Sequence, residues 1–222
     1  MVTPHQRLPS AWNDSFEVSF WTNITATEGG GVSSDKIIGT LYYSYPFQRI
    51  DHGAGSFECV HFYNTTKDPC SLFFLPNNNM YRVVGNDDCC LDLPGIGTPP
   101  PNWAALAQPT GTGWVWDAVS SELAYEWVFD HQLGQTEPQS IEYHTLRESS
   151  SAGEPVLFTF PGHRQQDYHF RVDTLRVGPQ DPALFRLPVQ GCEDTTCAAA
   201  TARSRLEMAL STPLVMSWSQ PN

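Results

Sequence analysis

The sequence predicts a mainly β protein, an antiparallel sandwich or barrel-like sheet of about ten or eleven strands with a short C-terminal helix. Three observations carry this expectation. Short apolar-alternating runs follow one another along the chain, separated by turn residues. Eighteen prolines and sixteen glycines supply those turns. Helix-forming composition is confined to one good candidate, the alanine-rich segment 196–210, which Pro213 ends.

The elements read in order as follows. Phe16 to Ile24 is a strand, with Phe16, Val18 and Phe20 on one face. A Gly/Ser-rich turn over 28–34 leads to Ile37 to Tyr43, then to Pro46 to Ile50. Phe57 to Tyr63, Ser71 to Leu75 and Met80 to Val84 continue the series, with Asn77-Asn78-Asn79 as the hairpin turn between the last two. Leu93 to Pro101 is a rigid loop, because three consecutive prolines cannot sit in a central strand. Trp114 to Val119, Leu123 to Asp130, Ser140 to Leu146, Pro155 to Phe160 and Tyr168 to Val177 complete the set. One domain spanning 1–222, with its core over about 12–210, accommodates all of them. No internal repeat interrupts it.

A chain of 222 residues with 40% hydrophobic side chains can bury a core. Its net charge of −12, with no basic stripe, excludes nucleic acid as a partner and disfavours anionic membrane surfaces. No apolar run reaches the roughly 18 residues that a membrane-spanning helix needs.

Six cysteines (Cys59, Cys70, Cys89, Cys90, Cys192, Cys197) are an even set that fits three bridges. Finger-like zinc spacing is missing. If extended, Cys89 and Cys90 point to opposite faces and pair with different partners. Three sequons, at Asn13, Asn23 and Asn64, agree with an oxidising compartment. The expected location is therefore outside the cell or in the lumen of the secretory pathway. Residues 1–7 lack an apolar leader core, so a secreted chain is expected to have lost its leader.

Catalytic candidates are thin. His163, Asp167 and His169 are close in sequence, but His169, Arg171 and Asp173 alternate on what reads as the solvent face of a strand. His52 beside Asp51, and His61 near Cys59, show no nucleophile elbow. Asn86-Asp87-Asp88-Cys89-Cys90-Leu91-Asp92 is an acidic cluster that reads as a solvated turn beside a disulfide; it leaves room for calcium but lacks EF-hand spacing. No other cofactor is expected. The aromatic residues say more. Trp114, Trp116, Trp127, Phe158 and Phe170 lie on successive strands at period two. An ordinary core explains them, and so does a sheet curled around a ring-lined cavity. In the second case not every ring is expected to line the cavity.

Three segments resemble ependymin-related proteins, within the wider group that shares the lipoprotein-carrier half-barrel. They are Tyr43-Ser44-Tyr45-Pro46-Phe47-Gln48-Arg49-Ile50; Asp87-Asp88-Cys89-Cys90 with the proline loop to Trp103; and Asp181-Pro182-Ala183-Leu184-Phe185-Arg186-Leu187-Pro188 followed by Cys192. Ser44 stands where that family has Asp, and its early cysteine is absent. The resemblance implies a curved antiparallel sheet or half-barrel with a deep apolar cavity, secretion, glycosylation, lipid-like ligands, and links to calcium and homodimers. It also implies that Cys70 bridges Cys197 and that one of Cys89 and Cys90 bridges Cys192, leaving the other for Cys59.

The expected function is a secreted glycoprotein that binds a hydrophobic or lipid-like small molecule, neutral or zwitterionic, without catalysis. Ligand contacts are assigned to Trp114, Trp116, Trp127, Phe158 and Phe170. The rivals are an extracellular structural or adhesion glycoprotein with a filled core, and a secreted hydrolase using one of the histidines.

Overall fold

A computed structural model describes residues 9–26, 33–56, 59, 68–85, 88–106, 110–117, 121–131, 139–146, 153–160, 164–188, 191–192 and 195–197. Its strands are β1 (Ser15–Ala26), β2 (Ser33–Ser44), β3 (Phe47–His52), β4 (Cys70–Leu75), β5 (Asn79–Val84), β6 (Asp88–Pro94), β7 (Thr110–Asp117), β8 (Glu122–His131), β9 (Gln139–Leu146), β10 (Pro155–Phe160), β11 (Arg164–Phe170) and β12 (Arg176–Val177). A single helical turn, α1 (Trp103–Leu106), lies between β6 and β7. The strands form one antiparallel sheet in the order β6-β5-β4-β3-β2-β1-β11-β10-β9-β8-β7, with β12 paired to β1 beside β11. β6 and β7 are its ends, so the sheet is open.

Alternation of apolar and polar residues decides which face is buried. On β1, Phe16, Val18, Phe20 and Thr22 are buried; on β3, Gln48, Ile50 and His52 are. Of these inner-face side chains Phe16, Val18, Phe20 and Ile50 join one cluster that includes Met80 of β5 and Trp127 of β8. Strands so far apart in the order share a cluster only if the sheet curls, which is the predicted half-barrel shape. Phe20 illustrates how tightly the face is packed. Its ring lies over Gly39, where an added Cβ would come within 2.5 Å of the Asp51 carbonyl oxygen. Gly39→Ala is therefore expected to destabilise the fold by about 1–3 kcal/mol, read as a lower denaturation midpoint.

Several expected elements differ. Asp88–Pro94, read as an acidic turn running into a rigid loop, is an edge strand. Its cysteines and Leu91 and Leu93 find partners on both faces, a contribution that charge density in the sequence hides. The expected strand Tyr168 to Val177 breaks at Arg171. There the Thr174 hydroxyl accepts from the Ser19 amide at 2.9 Å in place of a ladder bond, and β12 resumes the pairing. Phe57 to Tyr63 lies outside the described residues except for Cys59. The predicted helix 196–210 lies outside them too, except for Thr196 and Cys197. Thr196 forms an isolated parallel bridge with Leu91.

The disulfides are Cys59–Cys70, Cys89–Cys192 and Cys90–Cys197. Cys89 and Cys90 do take different partners, and Cys192 pairs with one of them. The implied Cys70–Cys197 bridge and the assignment of Cys59 to the Cys89/Cys90 pair are wrong. Cys70 opens β4 opposite His52, and Cys59 is held near the end of β3 by its amide donating to the Ser56 hydroxyl at 3.1 Å. Cys197 is instead laid along the edge of β6, its amide donating to the Leu91 carbonyl at 2.9 Å. Arg49 anchors the start of this C-terminal arm. It grips Asp51 through two nitrogens (2.7 and 2.9 Å), donates to the Leu184 carbonyl at 3.1 Å and sits 4.9 Å over the Phe73 ring.

The two arm bridges close overlapping, crossed loops. With one intact, the other closes only a few residues. In the loop-entropy model, removing either alone should cost about 2 kcal/mol and removing both about 7 kcal/mol. Chemical denaturation of C90A/C197A, C89A/C192A and the quadruple variant checks this. A quadruple-variant loss equal to the sum of the two single-bridge losses would contradict this mutual shortening.

Candidate functional site

The middle of the inner face is occupied by rings from outside the main strands. Trp12, just before β1, meets Phe16, Tyr43, Trp103 and Phe158 with centroids 5.4–6.1 Å away. Trp103 of α1 meets Phe158 at 6.3 Å, and Phe158 meets Phe170 at 5.0 Å. The proline loop holds this lid in place. The Tyr43 hydroxyl donates to the Pro99 carbonyl at 2.8 Å, the Thr98 hydroxyl to Phe74 at 3.4 Å, and the Trp12 amide to Pro101 at 2.9 Å.

Strand register puts all five assigned ring positions on one face. Trp114 pairs with Tyr125, and Trp127 lies two residues beyond Tyr125. Through Tyr143, Trp127 is in line with Phe158, which pairs with Tyr168 beside Phe170. Depth separates them instead. Trp127, Phe158 and Phe170 are core, whereas Trp114 is 36% and Trp116 64% exposed. The Trp114 ring meets Tyr125 edge-on at 4.9 Å, and Tyr125 meets Trp127 at 4.8 Å. A stripe of rings thus runs from solvent at the β7–β8 end into the core. β7 can carry it at the margin because a bulge at Gly111/Gly113 adjusts its pairing with β8.

Two polar groups inside this face have no hydrogen-bond partner among the described residues. Both side-chain atoms of Gln48 are buried and unpaired, and so is the indole nitrogen of Trp127. Gln48 is 0% exposed and stands in register between Tyr43 and Phe74. Each such group costs about 1–3 kcal/mol if left unsatisfied. As sequence, Gln48 and Trp103 stand only within the segments that resemble ependymin-related proteins, and neither they nor Trp12 carry a site assignment. The signal for Gln48 is a lone amide on the buried phase of β3, legible once Ile50 and His52 fix that phase.

Among the described residues the histidine candidates do not assemble. Asp51 and His52 are neighbours on β3 and so point to opposite faces, Asp51 to Arg49 and His52 to the Phe20 ring at 5.7 Å. His169 lies on the outer face as expected, but it is 6% exposed rather than solvated, because the Trp21 ring stacks on it at 4.1 Å. His61 and His163 lie outside the described residues. Of the acidic cluster, Asn86 and Asp87 also lie outside; Asp88 is exposed and Asp92 buried. Among the described residues no three His, Cys, Asp or Glu side chains gather as a metal site. Of the sequons, Asn13 is half-buried, Asn23 is on β1 opposite Asp167, and Asn64 is outside the described residues.

No protein-family model matches the chain, and no curated protein is found similar to it.

Burial, with Tyr45 and Asp14 adding smaller contributions, holds the Tyr43 hydroxyl protonated well above its ordinary pKa of 10.0. Below pH 10 this group is neutral in folded and unfolded chains alike. Above it only the unfolded chain ionises, so stability falls as pH rises. Tyr43→Phe should make that alkaline loss shallower between about pH 10 and 12, while lowering stability at neutral pH by about 1–3 kcal/mol through the orphaned Pro99 carbonyl. Denaturant midpoints across pH read both effects.

Proposed function

We propose that the chain is a secreted, disulfide-stapled glycoprotein that binds an apolar or lipid-like small molecule on the inner face of its sheet, without catalysis. The observation that carries the reading is the ring stripe. Trp116 and Trp114 stand at solvent on the same face whose other rings form the core, a ready apolar contact for a ligand entering at the β7–β8 end. The three disulfides, which leave no free cysteine, support an oxidising compartment. The three sequons support glycosylation there. No helix among the described residues is long and apolar enough to cross a membrane.

Kinship with ependymin-related proteins is part of the proposal. Two of the segments that carry the resemblance meet in space, Phe47 on Phe185 at 5.6 Å and Arg49 on the Leu184 carbonyl. The second reading is a structural or adhesion glycoprotein, favoured by Trp12 and Trp103 filling the middle of the inner face.

Titration of the full chain with neutral and zwitterionic amphiphiles, read by tryptophan fluorescence, separates the two. Saturable shifts are expected. Trp116→Ala and Trp114→Ala should weaken binding about ten-fold or more with little change in stability. Trp127→Ala should instead lower stability by about 3–5 kcal/mol. A flat titration with the whole panel would leave the structural reading.

A further inference from the structure

We infer that the inner face holds a polar subsite at Gln48, which takes a neutral group able both to donate and to accept a hydrogen bond. The inference rests on the binding reading and names the ligand class, alcohols or amides with an apolar body. Buried polar side chains are nearly always satisfied in folded proteins. Gln48 is fully buried, yet neither Nε2 nor Oε1 has a partner among the described residues. Its register neighbours do not supply one: the Tyr43 hydroxyl spends its one proton on the Pro99 carbonyl and makes no bond with Gln48, and Phe74 has no polar side-chain atom. The indole N–H of Trp127, on the same face, is a second unpaired donor. A hydrocarbon guest would leave both residues as they are. A carboxylate could accept from Nε2 but would leave Oε1 facing a like partial charge, at the expense of burying its own. A hydroxyl or amide matches both atoms: it accepts from the Nε2 hydrogen and donates to Oε1. Water has the same chemistry and is the competing guest.

The test uses two near-isosteric soluble probes, 2-phenylethanol and propylbenzene, on the full disulfide-bonded chain. Affinities are measured by tryptophan fluorescence for wild type and Gln48→Met. The expected result is that the alcohol-to-hydrocarbon affinity ratio falls about ten-fold in the variant. A second measurement needs no variant. In 15N-labelled wild type, the Gln48 side-chain amide resonances should shift with 2-phenylethanol and stay put with propylbenzene. If both probes bind wild type but the ratio is unchanged, or the amide resonances do not move, the subsite is overturned while the binding reading stands. A lone water that the probe leaves in place gives that same null. If neither probe saturates, both fall.

Discussion

An open, curled sheet leaves its concave face to be covered by something other than the sheet, and here the covering is the Trp12 ring. It touches rings from β1, β2, β10 and α1 at once. Edge-on contacts with Phe16, Tyr43 and Trp103 suit the aromatic quadrupole and bury large apolar area in a small volume. The rest of the inner face depends on that placement. The proline loop is tied to Tyr43 and to the Trp12 backbone, α1 follows directly from it, and Phe158 is sealed beneath. The β7–β8 end lies beyond this cover, and there Trp114 and Trp116 meet solvent.

The edges pose a separate problem. An unpaired strand edge is a template for pairing with other chains. At β6 the answer is covalent. Consecutive cysteines on an extended strand face opposite ways, so Cys89 reaches the arm across the outer face, where Phe73, Tyr81, Val83 and Cys192 form a second cluster. Cys90 takes the same arm five residues later, where it lies along the edge. The arm is further pinned by Arg49, whose guanidinium stacks on Phe73 and pairs with Asp51 while donating to the arm's backbone. One arm thereby covers an apolar outer face and caps an edge.

Much of the candidate site was legible at the level of strands. The period-two rings of β7, β8, β10 and β11 do share a face. Their depth was not legible, because Trp114 and Trp127 have the same local pattern and differ in whether they join the buried cluster of the inner face. His169 shows the same limit from the other side. Its alternation reads as solvent-facing, and the alternation is right, but Trp21 on the neighbouring strand covers it.

By itself the sequence determined the mainly β class, the Asn77-Asn78-Asn79 hairpin turn, most strand spans, the oxidisable cysteine set and the rule that Cys89 and Cys90 take different partners. These follow from local constraints: side-chain period, proline and glycine geometry, and the opposed directions of neighbouring residues on a strand. Tertiary structure alone decided which cysteines meet, that the acidic stretch 88–94 is an edge strand, which rings are core and which reach solvent, and that Gln48 is buried without a partner. Each of these depends on what segments distant in sequence lay over a given position, and a buried surface is a property of the pair, not of either strand.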